Sequence, residues 1–232
     1  MIIVRPSNQR GHADFGWLDS RHTFSFGQYH DPAHMGFRAL RVINDDRVAG
    51  GGGFPMHGHK DMEILSWVVE GALRHEDSMG NGNVVTAGGL QYMGAGTGVR
   101  HGEFNPSPDQ PVRFLQIWAM PDATGLAPAY GAETFDPSTR RDMLKLVASR
   151  SGRQGSVAVR ADLDLFAADL SPGAVIEHTL VAGHGAWVQV IDGSVTLNGL
   201  LLEAGDGAKI ENETALTLTA KGESSLLLFD LG

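Results

Sequence analysis

Glycine interrupts this chain too often for long helices to form. There are 31 glycines in 232 residues, about 13% against an average near 7%. Between them lie short apolar runs: Phe37–Val42, Glu63–Val69, Val84–Thr86, Arg113–Trp118, Ala186–Ile191, Leu216–Thr219 and Ser225–Phe229. Several are rich in Val, Ile and Trp. Turns such as Gly80-Asn81-Gly82-Asn83, Ile191-Asp192-Gly193 and Leu197-Asn198-Gly199 separate them. Short runs of this composition with such turns read as an all-β sandwich or barrel. Helical periodicity is weak throughout. The best helical candidate is Ser138–Leu146, opened by Pro137-Ser138.

The two ends of the chain share a grammar. Val69-Glu70-Gly71-Ala72-Leu73 echoes Val190-Ile191-Asp192-Gly193-Ser194-Val195. The stretch Thr86 to Tyr92 likewise echoes Glu203 to Lys209. This weak repeat suggests a duplicated barrel. Residues 121–156, with Pro121, Pro128 and Pro137 and few apolar runs, read as the linker between the halves.

Composition removes several classes of function. With no cysteine, a disulfide scaffold, a thiolate zinc finger, a cysteine-held iron–sulfur cluster and a cysteine nucleophile are excluded. Acids outnumber bases 27 to 18, for a net charge of −9. Direct binding of nucleic acid or anionic lipid draws on clustered Lys and Arg, so neither is expected. No apolar run approaches the ~20 residues of a membrane span. The first ten residues lack the apolar core of a signal peptide, so a cytoplasmic location is expected. No Gly-x-Ser-x-Gly elbow is present. The Gly94-x-Gly96-x-Gly98 cluster lacks the Lys-Ser/Thr and the strand–helix context of a phosphate loop. Gly96 and Gly98 read instead as a turn that approaches a pocket closely.

The chemistry is concentrated in one half. Eight of ten histidines lie at or before position 101. His57-Gly58-His59 and His101-Gly102-Glu103 each place two ligand-type side chains at i and i+2, on one face of a strand. If both strands face one barrel interior, three imidazoles and a carboxylate converge. Such a nitrogen and oxygen set suits Fe, Mn, Ni, Cu or Zn and can leave positions open for substrate. Asp61 and Glu63 share the parity of His59, so spacing leaves Asp61, Glu63 and Glu103 as alternative carboxylate ligands. His12, His22, His30 and His34 read as turn or packing residues, with a substrate mouth as the alternative. His75 is a candidate for contact with the ligands. Phe24, Phe26, Tyr29, Phe54, Tyr92 and Phe104 could stack on a flat substrate, with core packing as the default.

These residues resemble a known family. Gly51, five residues, His57-x-His59, three residues, Glu63 and then Gly71 resembles the first cupin motif, with the last gap one residue longer than usual. Gly98, two residues, His101, three residues, Asn105 resembles the second, with Gly96 where a proline is customary. Gly16 to Ser20, His22 to Phe26, Gln116-Ile117-Trp118 and the closing Leu226 to Leu231 extend the likeness over almost the whole chain. The chain is similar to the pirins, which are two-cupin proteins, and especially to bacterial pirin-like quercetin 2,3-dioxygenases.

The resemblance implies a bicupin: a metal-binding cupin at 1–120, a short helical or loop linker at 121–156, and a cupin without metal ligands at 157–232. The N-terminal arm is a further candidate to complete that second barrel. It implies His57, His59, His101 and Glu103 as ligands of one divalent metal, with Glu63 structural. Fe(II) is the leading expectation, and Cu, Ni, Mn or Zn are alternatives. The implied activity is a dioxygenase that opens a flat polyphenol with O2, with Glu103 taking the substrate proton. The alternatives are a metal-dependent interaction module for a protein partner, and a cupin isomerase or metabolite sensor.

Overall fold

The computed structural model describes residues 1–232. It is an all-β protein of two similar barrels, and each barrel is a seven-stranded sheet facing a four-stranded one. In the first barrel the large sheet runs, edge to edge, Ala129–Thr134, Gly89–Gly94, Glu63–Glu70, Val112–Ala119, Leu40–Val48, Leu18–His22 and Gly11–Asp14. Its small sheet runs Gly53–His59, Val99–Phe104, Ala72–Asp77, Gly82–Thr86.

The second barrel repeats this order. Its large sheet is Ile2–Arg5, Gly207–Ile210, Gly185–Asp192, Ser224–Leu231, Leu163–Leu170, Lys145–Ser149 and Val157–Ala158. Its small sheet is Val175–Thr179, Ala215–Ala220, Ser194–Leu197, Leu200–Glu203. The two pairs of echoing segments occupy matching places in the two barrels. The N-terminal arm enters the second barrel, where Ile2–Arg5 pairs with Gly207–Ile210.

Two expectations for residues 121–156 need correction. The segment is more than a linker, because Ala129–Thr134 closes an edge of the first large sheet and Lys145–Ser149 enters the second. Ser138–Leu146 is not a helix. A single 3-10 turn, Pro137–Thr139, is capped by Asp136, whose side chain accepts from the Ser138 N–H at 2.8 Å. Asp142 then takes a left-handed φ of 54°, and the buried run Leu146-Val147-Ala148 pairs as a strand. Tertiary burial of that run outweighs the local helical signal.

Strand parity divides the interior into layers. In the first large sheet, odd positions such as Leu65, Trp67, Leu115 and Ile117 face away from their own barrel. They join Leu165, Ala167, Trp187, Leu227 and Phe229 of the second barrel in one core of 25 buried residues. The large sheets are thus apolar on both faces, as sheets covered on both sides must be. On those strands even positions face into the first barrel, whereas on Gly89–Gly94, whose Leu90 and Tyr92 join the shared core, odd positions do. Inside this barrel the apolar lining splits into clusters of 7 and 4 residues. The second barrel is filled by one cluster of 17.

Arg113 ties the two halves across the shared core. It forms a two-pronged pair with Asp45 at 2.9 Å, and it donates to Asp192 at 2.7 Å. No helix is long and apolar enough to cross a membrane.

Candidate metal centre

His57 and His59 lie on Gly53–His59, and His101 and Glu103 lie on its neighbour Val99–Phe104. The antiparallel register sets His101 beside His57 and Val99 beside His59. All three imidazoles therefore come together, with ring centroids 4.6 to 4.9 Å apart. Their ligand atoms lie within 4.8 Å of one another.

Next to them the register shifts, so that Glu103 pairs with Phe54. This bulge adds one residue to the first strand, at Pro55-Met56, where a missing N–H is tolerated. The extra residue changes the parity, so Phe54 lines the same cavity as His57 and His59. Close strand contact requires glycine here. A Cβ on Gly53 would lie 2.5 Å from the Glu103 carbonyl oxygen.

His57 is oriented as a ligand, and His59 and His101 are prepared as neutral ones. His57 Nδ1–H donates to the Pro55 carbonyl at 2.8 Å, which fixes the proton there and leaves Nε2 with its lone pair. Burial, and then the neighbouring His101 and His57, lower the pKa of His59 to about 4. Burial, then His57 and His75, bring His101 down to about 3. Both ring nitrogens of His101 are buried without a hydrogen-bond partner in the protein. A buried imidazole in that state carries a desolvation cost of about 1–3 kcal/mol that a metal ion would relieve. The residues therefore fit a metal.

Glu103 is 2% exposed and held by three donors. Ser66 Oγ and Gln91 Nε2 donate to Oε1 at 2.8 and 3.0 Å, and Gln116 Nε2 donates to Oε2 at 2.7 Å. A carboxylate has about four lone-pair positions, so about one remains, on Oε2. Glu103 also groups closely with His101 and His75. His75, however, is already engaged at both nitrogens. Its Nε2–H donates to Asp77 at 3.1 Å, and its Nδ1 accepts from Gln91 at 3.1 Å. It supports the Gln91 amide that holds Glu103.

The other two carboxylates that shared the parity of His59 lie elsewhere. Asp61 has a left-handed φ of 48° and accepts from the Gly125 N–H at 2.7 Å. That sharp turn resets the parity, so Glu63 falls on the face toward the second barrel. There it accepts hydrogen bonds from the Tyr92 hydroxyl and, at 3.0 Å, from the Arg160 N–H. Burial and then Glu63 raise the Tyr92 pKa. Gly96, in a turn with φ 48°, closely approaches Leu126 rather than the histidines.

In the second barrel His178 and His184 both donate to Asp230, at 2.9 and 2.7 Å. The strand in the place of Val99–Phe104 is Ala215–Ala220, whose Leu216, Leu218 and Ala220 are buried in the apolar filling.

Beside the histidines lies a cavity of about 710 Å³. Phe26, Tyr29 and Phe54 line it, and so do His12 and His22, for which a substrate mouth was the alternative to turns or packing. Phe24 and Tyr92 belong to the shared core instead, and Phe104 lies under Arg74. Trp17 and Trp118 are cavity residues that sequence reasoning missed. Trp118 packs edge-on against His59 at 4.9 Å and Phe26 at 5.3 Å. Its even parity with Gln116 was the signal available.

A filled barrel joined to a hollow one that gathers three imidazoles and a carboxylate defines a bicupin whose first barrel groups side chains able to hold a metal. Residues 3–119 match the family described as Pirin, and residues 146–231 match the Quercetinase C-terminal cupin domain. The chain belongs to the pirin family. It is 47% identical to quercetin 2,3-dioxygenase of Escherichia coli strain K12, over 100% of this chain and 99% of that one. It is 39% identical to a pirin-like protein of Caulobacter vibrioides, over 99% of each. The crystal structure of YhhW from Escherichia coli superposes with a TM-score of 0.96 at 47% identity, covering 100% of this chain and 98% of that one. A second YhhW structure, in complex with nickel(II), gives a TM-score of 0.94 at 46% identity, over 100% and 99%. Metal binding is supported by that complex together with the histidine cluster.

Proposed function

We propose that the protein is a mononuclear metal-dependent dioxygenase that opens the ring of a flavonol-like flat polyphenol with O2. His57, His59, His101 and Glu103 are its metal ligands, and Fe(II) is the leading candidate metal, with Ni, Cu, Mn and Zn suited to the same donors. The observation that carries the reading is three convergent imidazoles, one with both nitrogens unpartnered, at the wall of an aromatic-lined cavity. The quercetin 2,3-dioxygenase name of a relative 47% identical over the whole chain supports the substrate class.

When bound, the metal supplies Lewis-acid polarisation of a substrate oxygen and redox chemistry with dioxygen. The chain does the rest. Phe26, Phe54 and Trp118 present aromatic surfaces to a flat ring and exclude water from it. Glu103 keeps about one lone pair, on Oε2, so it would serve either as a metal ligand or as the base: it takes the proton of the substrate's hydroxyl there once the carboxylate has loosened from the metal. Ser66, Gln91 and Gln116 hold that carboxylate in place as the proton arrives.

The test is metal content per chain and oxygen uptake with quercetin, for the native protein and for His101→Ala. About one equivalent of metal and turnover, both lost in the variant, is the expected result. Metal without turnover of quercetin in the native protein would overturn the dioxygenase reading and leave a metal-dependent module. Full activity in His101→Ala would overturn the ligand set.

A further inference from the structure

The large sheet faces the histidines across the cavity, and one patch of it is polar where the fold calls for an apolar lining. Leu18–His22 pairs with Leu40–Val48 so that Ser20 lies beside Asp46 and His22 beside Asn44. Strand parity turns Asn44 and Asp46 inward together. Ser20, His22, Asn44 and Asp46 all line the cavity, and all are buried, from 2 to 5% exposed. Three of them carry an atom with no hydrogen-bond partner in the protein: His22 Nδ1, Asn44 Oδ1 and Asp46 Oδ1.

Each such atom costs the fold about 1–3 kcal/mol, and native interiors carry few of them. Three on one wall of one cavity are a group kept for a ligand. The second barrel shows that the fold itself does not need them. Its strand in the same place, Leu163–Leu170, turns Ala168 and Leu170 inward. None of the three residues belongs to the close-set groups of metal-binding side chains, so they are not explained by the metal.

Around this row the cavity is aromatic. Phe26 packs edge-on against His22 at 5.3 Å, and Trp17 packs against Phe54 at 5.2 Å. A ligand that satisfies both surfaces has flat apolar faces and a polar edge that can donate and accept. Burial raises the Asp46 pKa to about 7, against the Ser20 hydroxyl and with the charges of Asp45, Glu103 and Asp19 adding to the rise. Near neutrality both forms of the carboxyl are populated, so it can accept from a hydroxyl or donate to one.

We infer that His22, Asn44 and Asp46 form the wall that binds the hydroxylated edge of the substrate, and that Asp46 selects polyhydroxylated aromatics over their unhydroxylated analogues. This rests on the flat-polyphenol reading above. It assigns the selection of substrate to the sheet that carries no metal ligand.

The test is anaerobic titration of the metal-loaded protein with quercetin and with parent flavonol, the same ring system without quercetin's other hydroxyls. The native protein is compared with Asp46→Ala and with the nearly isosteric Asp46→Asn. Metal content and circular dichroism are measured on each. The native protein should bind quercetin more tightly than parent flavonol. Asp46→Ala should lose about tenfold or more of that preference, as for one hydrogen bond to a charged group. Asp46→Asn should lose part of it, and both variants should keep their metal. An unchanged preference in both variants, or no preference in the native protein, overturns the selecting wall. Failure of the native protein to bind either compound instead overturns the flavonol reading beneath it.

Discussion

The two barrels share a strand order and differ in what fills them. The second holds 17 apolar residues in one cluster. The first divides its apolar lining into 7 and 4 and gives the space between to histidines, carboxylates, amides and a cavity. The same architecture therefore holds a packed core in one half and a polar, hollow site in the other. The sheet order does not decide which. The side chains at inward-facing strand positions do, as when His101 and Glu103 stand where Leu216 and Leu218 stand in the other half. Hollowing one barrel has a stability cost, and the filled barrel with the 25-residue core between them offsets it.

The sharpest way to break this comparison is a reciprocal pair of truncations. His59→Ala should abolish metal binding and leave the denaturation midpoint of the metal-free protein nearly unchanged. Leu228→Ala, in the filled barrel, should cost about 2–5 kcal/mol of stability and keep one metal per folded chain. Elemental analysis and denaturant titration of both variants check this, and equal losses of stability would erase the division of labour.

A smaller effect is expected one contact away from the ligands. Gln116→Leu removes the donor to Glu103 Oε2, and such supporting partners are worth about 10–100-fold in metal affinity. Competition with a chelator reads that loss directly. Glu63→Gln sharpens the comparison from the interface. It should weaken the contact with Arg160 and lower stability by about 1–3 kcal/mol, with metal content unchanged. Loss of metal in that variant would make Glu63 a ligand after all.

The smallest effect belongs to the second barrel's own histidines. Burial alone would raise the Asp230 pKa, but hydrogen bonds from His178 and His184 outweigh it and leave the pKa below the ordinary value. A carboxylate with a lowered folded pKa stabilises the fold above its unfolded pKa and loses that contribution as pH falls through the folded value. Metal-free native protein should therefore lose more stability than Asp230→Asn on acidification from neutrality to below about pH 4. Denaturant midpoints at the two pH values measure the difference.

How far the sequence could be read depended on whether local chemistry or long-range packing decided the matter. The glycine-marked turns and short Val- and Ile-rich runs were enough for an all-β duplicated barrel. The i, i+2 spacing of His57 with His59, and of His101 with Glu103, was enough to place each pair on one face. The edge strand Ala129–Thr134 was hidden by its weak pattern, since Gly131 and Ala132 pack by virtue of their neighbours. The strand at Lys145–Ser149 was masked by a local helical signal. Trp118 shared only its parity with Gln116 as a signal, and Asp46 was invisible as a cavity residue because nothing near it in sequence marks which face is hollow.

The sequence by itself determined the class of fold, the half that carries the chemistry and the types of ligand available, because turn preferences, strand parity and donor chemistry are local properties. Strand parity left the carboxylate open, and only the tertiary structure shows which of the three lies close to His101. Asp61, Glu63 and Glu103 all satisfied the parity argument. A left-handed turn at Asp61 resets the alternation, so Glu63 faces Tyr92 and Arg160 across the interface and Glu103 remains inside with its three donors. Alternation holds only along an unbroken strand, and where it breaks depends on how distant segments pack against the turn.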